Sequence, residues 1–483
     1  MGLGRKNSAM VSIFLWEAPF SLRDRRPCPC RYDTVLQYFD KISGFALTRS
    51  WAEMPASALS TAASLLLDTV GVAAAAGPMQ AGVIARETAM ALYGSAERRF
   101  AAQMMFDGRM VSVAGAGYAA ATQIDNLDAH DGYNPCKGHI GVAVIPALSA
   151  LMQGVPDMSG PEALAHLVVG YEIAGRAGKA LHGTVSDYHT SGAWNALGVA
   201  AMAARIRNHD AAMLQHGLGI AEYHGPRSQM MREIASPTML HDGSGWGVLV
   251  GLSAAVLAEK GFTGAPAITV EQAPEYWEDL GQNWLIEDQY IKPYPICRWA
   301  HGAIDAARDL VRAHGLTPAD IAHVQVNSFA EAAALFPGLP QTSSQAQYSL
   351  PFALAAFLAH GRITLEQIEG AGLINPDTIA MHGRIDVAST PRHDARFPAN
   401  RMADVIITTT DGRSLASGDT HARGDPQRPL NQSAFAEKFA DLAGPALGTL
   451  RSQALANTIL GLTDPLSRLS DLASLLLDPP EPA

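Results

Sequence analysis

Between Asn126 and Gly141 the chain reads NLDAHDGYNPCKGHIG, which sets Asp128, His130, Asp131, Lys137 and His139 close together in sequence. Gly132, Asn134-Pro135 and Gly138 each interrupt a helix, and Pro135 also lacks a backbone donor, so the passage is a loop. Imidazoles near neutrality can take and return a proton, while an ammonium can hold an anion. Two more passages carry the same residue types. DYHTSGAWNALG sets His189 at a helix start beside Thr190 and Ser191, and IKPYPICRWAHGA sets Lys292 between apolar neighbours, with His301 at the mouth of a helix. Pro293 and Pro295 hold that lysine in extended backbone. Taken singly, each residue also reads as a cap, a satisfied core histidine or a surface lysine. Three such clusters together argue for acid–base work on an anionic substrate.

Other chemistries lack their signatures. GAGYAA at 115–120 follows no clear strand and lacks a third glycine, and the sequence contains no Walker lysine, no G-x-S-x-G and no H-E-x-x-H. His130 and His139 lack the further ligands at helical spacing that a metal site calls for, and Cys28 and Cys30 have no second pair at zinc spacing. Cys136 and Cys297 read either as reactive thiols or as small buried side chains near a pocket.

These clusters need a frame. The chain has 483 residues, 48% hydrophobic and 17% charged, which fits a globular protein of two domains. A net charge of −11 with no basic block disfavours nucleic acid, and no convincing span favours a membrane. Few cysteines fit a reducing compartment. Residues 1–33 read as a flexible leader, with a mitochondrial presequence as the alternative for a eukaryotic source; otherwise a cytoplasmic location is expected.

From Tyr32 the apolar spacing of three and four predicts helix after helix to residue 288, with Ser159 and Asp210 as N-caps. Such alanine-rich, weakly amphipathic segments imply a core in which some helices are surrounded on every side. Beyond residue 288, HVQVNSF at 323–329 alternates as a strand and ADVIITTTDGRSLAS at 403–417 as a hairpin turning at Asp411-Gly412. The fold expected is mainly α: a large all-helical domain (34–288), a smaller α+β domain (289–429), and C-terminal helices (430–483) that return to the helical domain.

The order of LDAHDGYNPCKGHIG, YHTSGAWNALG, SPTMLHDGSGWG and IKPYPICRWAHGA resembles the MmgE/PrpD family, which includes 2-methylcitrate dehydratases, cis-aconitate decarboxylases and iminodisuccinate epimerases. The resemblance runs from about Tyr32 to the C-terminal helices. It implies that the α+β domain is a lid, that the protein is a homodimer, and that small di- or tricarboxylates react between the domains without metal or cofactor. By this resemblance Asp128 matches the family's active-site aspartate, His139 its loop histidine, His189 the histidine of the next helical segment, and Lys292 the lysine entering the lid. These four form the expected catalytic set; Arg232, His241, Cys297, Tyr133 and Lys137 are the expected substrate contacts. Gly132 stands where members carry threonine, Thr238 where decarboxylases and the epimerase carry lysine, Cys297 where decarboxylases carry histidine, and Phe352 where several carry tyrosine. Those departures remove a cation and hydrogen-bonding groups, for which Arg227 or Arg232 is the candidate replacement.

The expected function is proton transfer at the carbon next to a carboxylate, foremost as a 2-methylcitrate dehydratase-like hydro-lyase. Epimerisation of an iminodisuccinate-like dicarboxylate and cis-aconitate-type decarboxylation are the alternatives. From another class, a non-catalytic helical dimer that keeps the family frame remains open.

Overall fold

The structure is a computed structural model that describes residues 29–480. Expectations placed on residues 1–28, the leader and Cys28 among them, lie outside the described residues, as does the side chain of Cys30. The first half runs through α1 (Pro29–Thr48), α2 (Ala56–Ala76), α3 (Gln80–Leu92), a hairpin of β1 (Ala101–Gln103) and β2 (Met110–Ser112), then α4 (Val113–Asp125) and α5 (Gly141–Leu151). It continues with α6 (Gly160–Thr184), α7 (Gly192–Ile206), α8 (Ala211–His224), α9 (Met230–Ala235) and α10 (Ser244–Glu259). The hairpin departs from the all-helical expectation; at three residues each, its strands are too short to show a period of two.

Local signals explain most of these elements. Ser159 accepts a hydrogen bond from the Glu162 amide and Asp210 from the Met213 amide, so both caps form as predicted. Every residue of α5 is buried, the state expected of a helix apolar on all sides. Truncating Leu148 there to alanine would cost about 2–5 kcal/mol. Small residues let α7 and α10 approach closely: a Cβ on Gly251 would lie 2.5 Å from the Ala196 carbonyl oxygen. α2 is long and apolar enough to cross a membrane, yet most of it is buried against α6 and the C-terminal helix described below.

The second half contains α11 (Arg298–His314) and α12 (Leu350–His360), packed on each other, and a four-stranded sheet in the order β4-β3-β5-β6. β3 (Ile321–Ser328) pairs in parallel with β4 (Ile385–Ser389) and antiparallel with β5 (Asp404–Thr409), which pairs antiparallel with β6 (Ser414–Ala416). The strand and hairpin read from the sequence are β3 and β5–β6, with Gly412 at φ 87° in the turn. β4 is an edge strand with little burial, and its alternation is too weak to read. The protein is mainly α with a small mixed sheet.

Two buried ion pairs bring the chemistry-bearing segments together. Arg176 on α6 donates to the Tyr276 and Asn283 carbonyls at 3.0 and 2.9 Å, while Glu172 accepts from the Ile286 amide at 3.1 Å. Together they pin the stretch that leads into Tyr290 and Lys292. The last long helix, α13 (Gln432–Leu460), is capped by Asn431 and lies along α2. Its Lys438 pairs with Asp68 of α2 at 2.5 Å and donates to the Ala129 carbonyl at 2.8 Å, so the C-terminal helix holds the 126–141 loop from beneath.

Candidate active site

The 126–141 loop joins α4 to α5 and is stitched to the segment after residue 288. Gly132 N–H donates to the Tyr290 carbonyl at 3.1 Å and Tyr290 N–H returns a bond of 2.8 Å. Asp128 and Lys137 both adopt left-handed backbone, φ 55° and 57°, a conformation that non-glycine residues hold only where their surroundings impose it. Asp128 is thereby aimed at Lys292, and the two form a buried ion pair in which Lys292 also donates to the Asp128 carbonyl at 3.0 Å. Burial pushes the Asp128 carboxyl up to about 6, against the opposing pull of the Lys292 ammonium.

His139 faces the same cavity. Its Nδ1 lies 2.6 Å from the Asp131 carbonyl oxygen, which can only accept, so Nδ1 carries the proton and Nε2 keeps its lone pair. Nε2 stands 3.5 Å from Asp242 Oδ2. Ser191 Oγ donates to Asp242 Oδ1 at 2.5 Å and accepts from the His139 amide at 2.9 Å, locking acid and imidazole into one network. Burial lowers the His139 pKa to about 4, so the ring is neutral at physiological pH. A proton taken on Nε2 would meet the Asp242 carboxylate directly.

Asp128, Lys137, His139, Lys292 and Cys297 all line one small cavity. The Cys297 thiol is pushed up to about 12 by burial, which makes it the small buried side chain rather than a nucleophile. The other expected site residues stand elsewhere. His189 is off the cavity, because its backbone pairs with Gln229 as extended chain, where neighbouring side chains point to opposite sides; Tyr188 faces in and His189 faces out. Arg232 is exposed on α9, between the buried positions Met230, Glu233 and Ile234 that the helical period turns inward. Arg227 is exposed as well. The ring of Tyr133 packs into the core beside Gly175, and His241 sits behind Tyr348 with its Nδ1 3.4 Å from that hydroxyl.

Sequence reasoning missed several cavity residues: Asp242, Tyr290, Arg298, Tyr348 and Arg401. Asp242 follows His241 in a quoted motif, and Arg298 and Tyr290 flank Lys292, so proximity to those motifs was the available signal. Arg401, in FPANRMADV before β5, offered none. Tyr348 lies four residues before the buried Phe352 and donates to Glu233. Burial and the Asp242 charge hold the Glu233 carboxyl well above the usual carboxylate range.

Asp128, His130 and His139 also offer three ligand atoms within 4.8 Å of one another. A dication there would stand against the Lys292 ammonium already paired with Asp128, so the donor set fits an ion pair better than a metal. His393, Asp404 and Asp419 form a second such group, but Arg392 already pairs with both carboxylates.

Residues 40–275 match the MmgE/PrpD N-terminal domain, and residues 294–463 the MmgE/PrpD C-terminal domain. Among curated proteins the chain is 24% identical over 389 residues to a cis-aconitate decarboxylase of Mus musculus, covering 75% of this chain and 78% of that one. It is 22% identical over 479 residues to cis-aconitate decarboxylase-like protein oryM of Aspergillus oryzae, covering 88% and 94%. Against a cis-aconitate decarboxylase of Aspergillus terreus the identity is 22% over 404 residues, covering 75% and 79%.

Proposed function

The chain belongs to the MmgE/PrpD family, and from that premise we propose that it is an acid–base lyase acting next to a carboxylate of a small di- or tricarboxylic acid, foremost as a 2-methylcitrate dehydratase-like hydro-lyase. The observation that carries this reading is the neutral His139, with its Nε2 lone pair at a cavity wall, beside the buried Asp128–Lys292 pair. His139 Nε2 takes the proton alpha to the carboxylate, and Asp242 balances the imidazolium that results. Lys292 stabilises the enolate-like charge, an effect worth several kcal/mol when the cation is fixed in a dry site. The C–H electrons form the double bond as the neighbouring C–O bond breaks. Tyr348 gives the departing hydroxide its proton and takes a replacement from the Glu233 carboxyl, which burial keeps protonated, and water leaves.

A second reading is supported by the three curated relatives, all of them cis-aconitate decarboxylases or decarboxylase-like by name. In it a C–C bond breaks, carbon dioxide leaves, and a protonated His139 or Tyr348 delivers a proton to the carbon that keeps the electrons. The proposal includes a homodimer. Its support is α10, an apolar helix that leaves Trp246 and Leu257 exposed.

The deciding experiment incubates the protein in heavy water with 2-methylcitrate, citrate, cis-aconitate and iminodisuccinate, and follows each by proton NMR. Deuterium at an alpha carbon with a new alkene signal supports the hydro-lyase. Carbon dioxide release from cis-aconitate selects the second reading. Silence with every acid would overturn both in favour of a non-catalytic family member.

A further inference from the structure

Building on the carboxylate-binding reading above, we propose that Arg401 is the receptor for a second carboxylate of the substrate, the one that takes no part in bond breaking, and that it makes a di- or tricarboxylate obligatory. Arg401 lines the cavity from the loop before β5 and is 5% exposed. Its Nε and Nη2 have no hydrogen-bond partner, and it forms no ion pair among the described residues. The neighbouring buried cations are all matched: Lys292 by Asp128, Arg298 by Asp425 at 2.6 Å, and Lys438 by Asp68 at 2.5 Å. An unmatched buried charge is a costly state that persists where something else supplies its partner.

The missing partner is an anion with the shape of a carboxylate. A guanidinium fork binds two carboxylate oxygens at once, and two donors of this fork stand open. The cavity wall carries Lys137, Lys292, Arg298 and Arg401 against Asp128 and Asp242, in a chain whose net charge is −11. Asp128 is paired with Lys292, and neither Asp128 nor Asp242 forms an ion pair with Arg401 among the described residues. Arg401 and Lys292 stand in the wall of the same small cavity, so one short carbon skeleton with two carboxylates can meet both.

The test compares wild type with Arg401→Met, Arg401→Gln and Arg401→Lys by calorimetry and thermal shift. The probes are tricarballylate, which has no leaving group, and propionate, which has a single carboxylate. The expected result is a loss of tricarballylate affinity of roughly 100-fold or more in R401M and R401Q, partial recovery in R401K, and unchanged propionate binding. Ligand-free R401M should melt no lower than wild type, because an unmatched buried charge has been removed. Unchanged tricarballylate affinity in both R401M and R401Q overturns the assignment. So does a ligand-free R401M and R401Q pair that is destabilised, since Arg401 would then be a structural support. If wild type itself binds no member of the carboxylate panel, it is the underlying functional reading that fails.

Discussion

Asp128 and Lys292 stand 164 residues apart in sequence and meet as an ion pair from which solvent is excluded. Breaking such a pair from one side leaves a bare buried charge, at a cost of about 3–5 kcal/mol, whereas replacing both partners is close to neutral. Lys292→Met is therefore expected to lower unfolding stability by that amount and to abolish turnover. Asp128→Asn combined with Lys292→Met should recover most of the stability and none of the activity. Urea denaturation of the three proteins measures this; a double variant as unstable as the single one would show that the pair is not the cause.

The same pair predicts an acid limb in the rate. Asp128 must be ionised to hold the Lys292 ammonium, and its carboxyl titrates at about 6. kcat/KM should fall as pH drops through about 6. The stability terms have opposite signs. The raised Asp128 value gives stability that is fully present below pH 3.8 and lost as pH rises through about 6. The His139 value, depressed from 6.5 to about 4, gives stability present above 6.5 and lost as pH falls through about 4. Turnover and melting temperature measured together across this range separate the effects. A rate that stays level down to about pH 4 would remove Asp128 from the mechanism.

Gly132 and Tyr290 fit each other by subtraction. A Cβ on Gly132 would lie 2.3 Å from the Tyr290 hydroxyl oxygen and 2.9 Å from His139 Nδ1. The departure from threonine at position 132 is thus accompanied by a tyrosine ring that fills the space. Gly132→Thr alone should displace both rings and cut kcat by tenfold or more, while Gly132→Thr with Tyr290→Ala should restore thermal stability toward wild type. Equal melting temperatures for wild type and the single variant would disprove the clash.

Ser191 acts through others. It donates to Asp242 and accepts from the His139 amide, so Ser191→Ala loosens the imidazole's setting without touching the cavity's cations. A hydrogen bond to a charged group is worth about 1.5–3 kcal/mol, so kcat should fall roughly 10- to 100-fold with KM little changed. Steady-state kinetics decides it: a rise in KM with kcat intact would make Ser191 a binding residue instead.

What was legible in the sequence is what short-range forces decide. The spacing of apolar residues gave the helices, the side chains of Ser159 and Asp210 gave two of their starts, and glycines and Pro135 marked the loop that carries Asp128 and His139. Apolar flanks pointed to Lys292. Each of these signals works within a few residues, through backbone hydrogen bonds and one or two turns of periodicity.

Membership of the cavity was decided by the tertiary structure. Tyr188 faces it and His189 does not, because an extended pairing with the chain around Gln229 fixes which neighbour turns inward. Arg401 has no local pattern at all; it enters because the loop before β5 is set against Tyr290 and Cys297 from distant parts of the chain. Burial then sets the protonation state of Asp128 and His139. Water is removed by residues far away in sequence, and an aspartate or histidine carries no mark of how much of it will be lost.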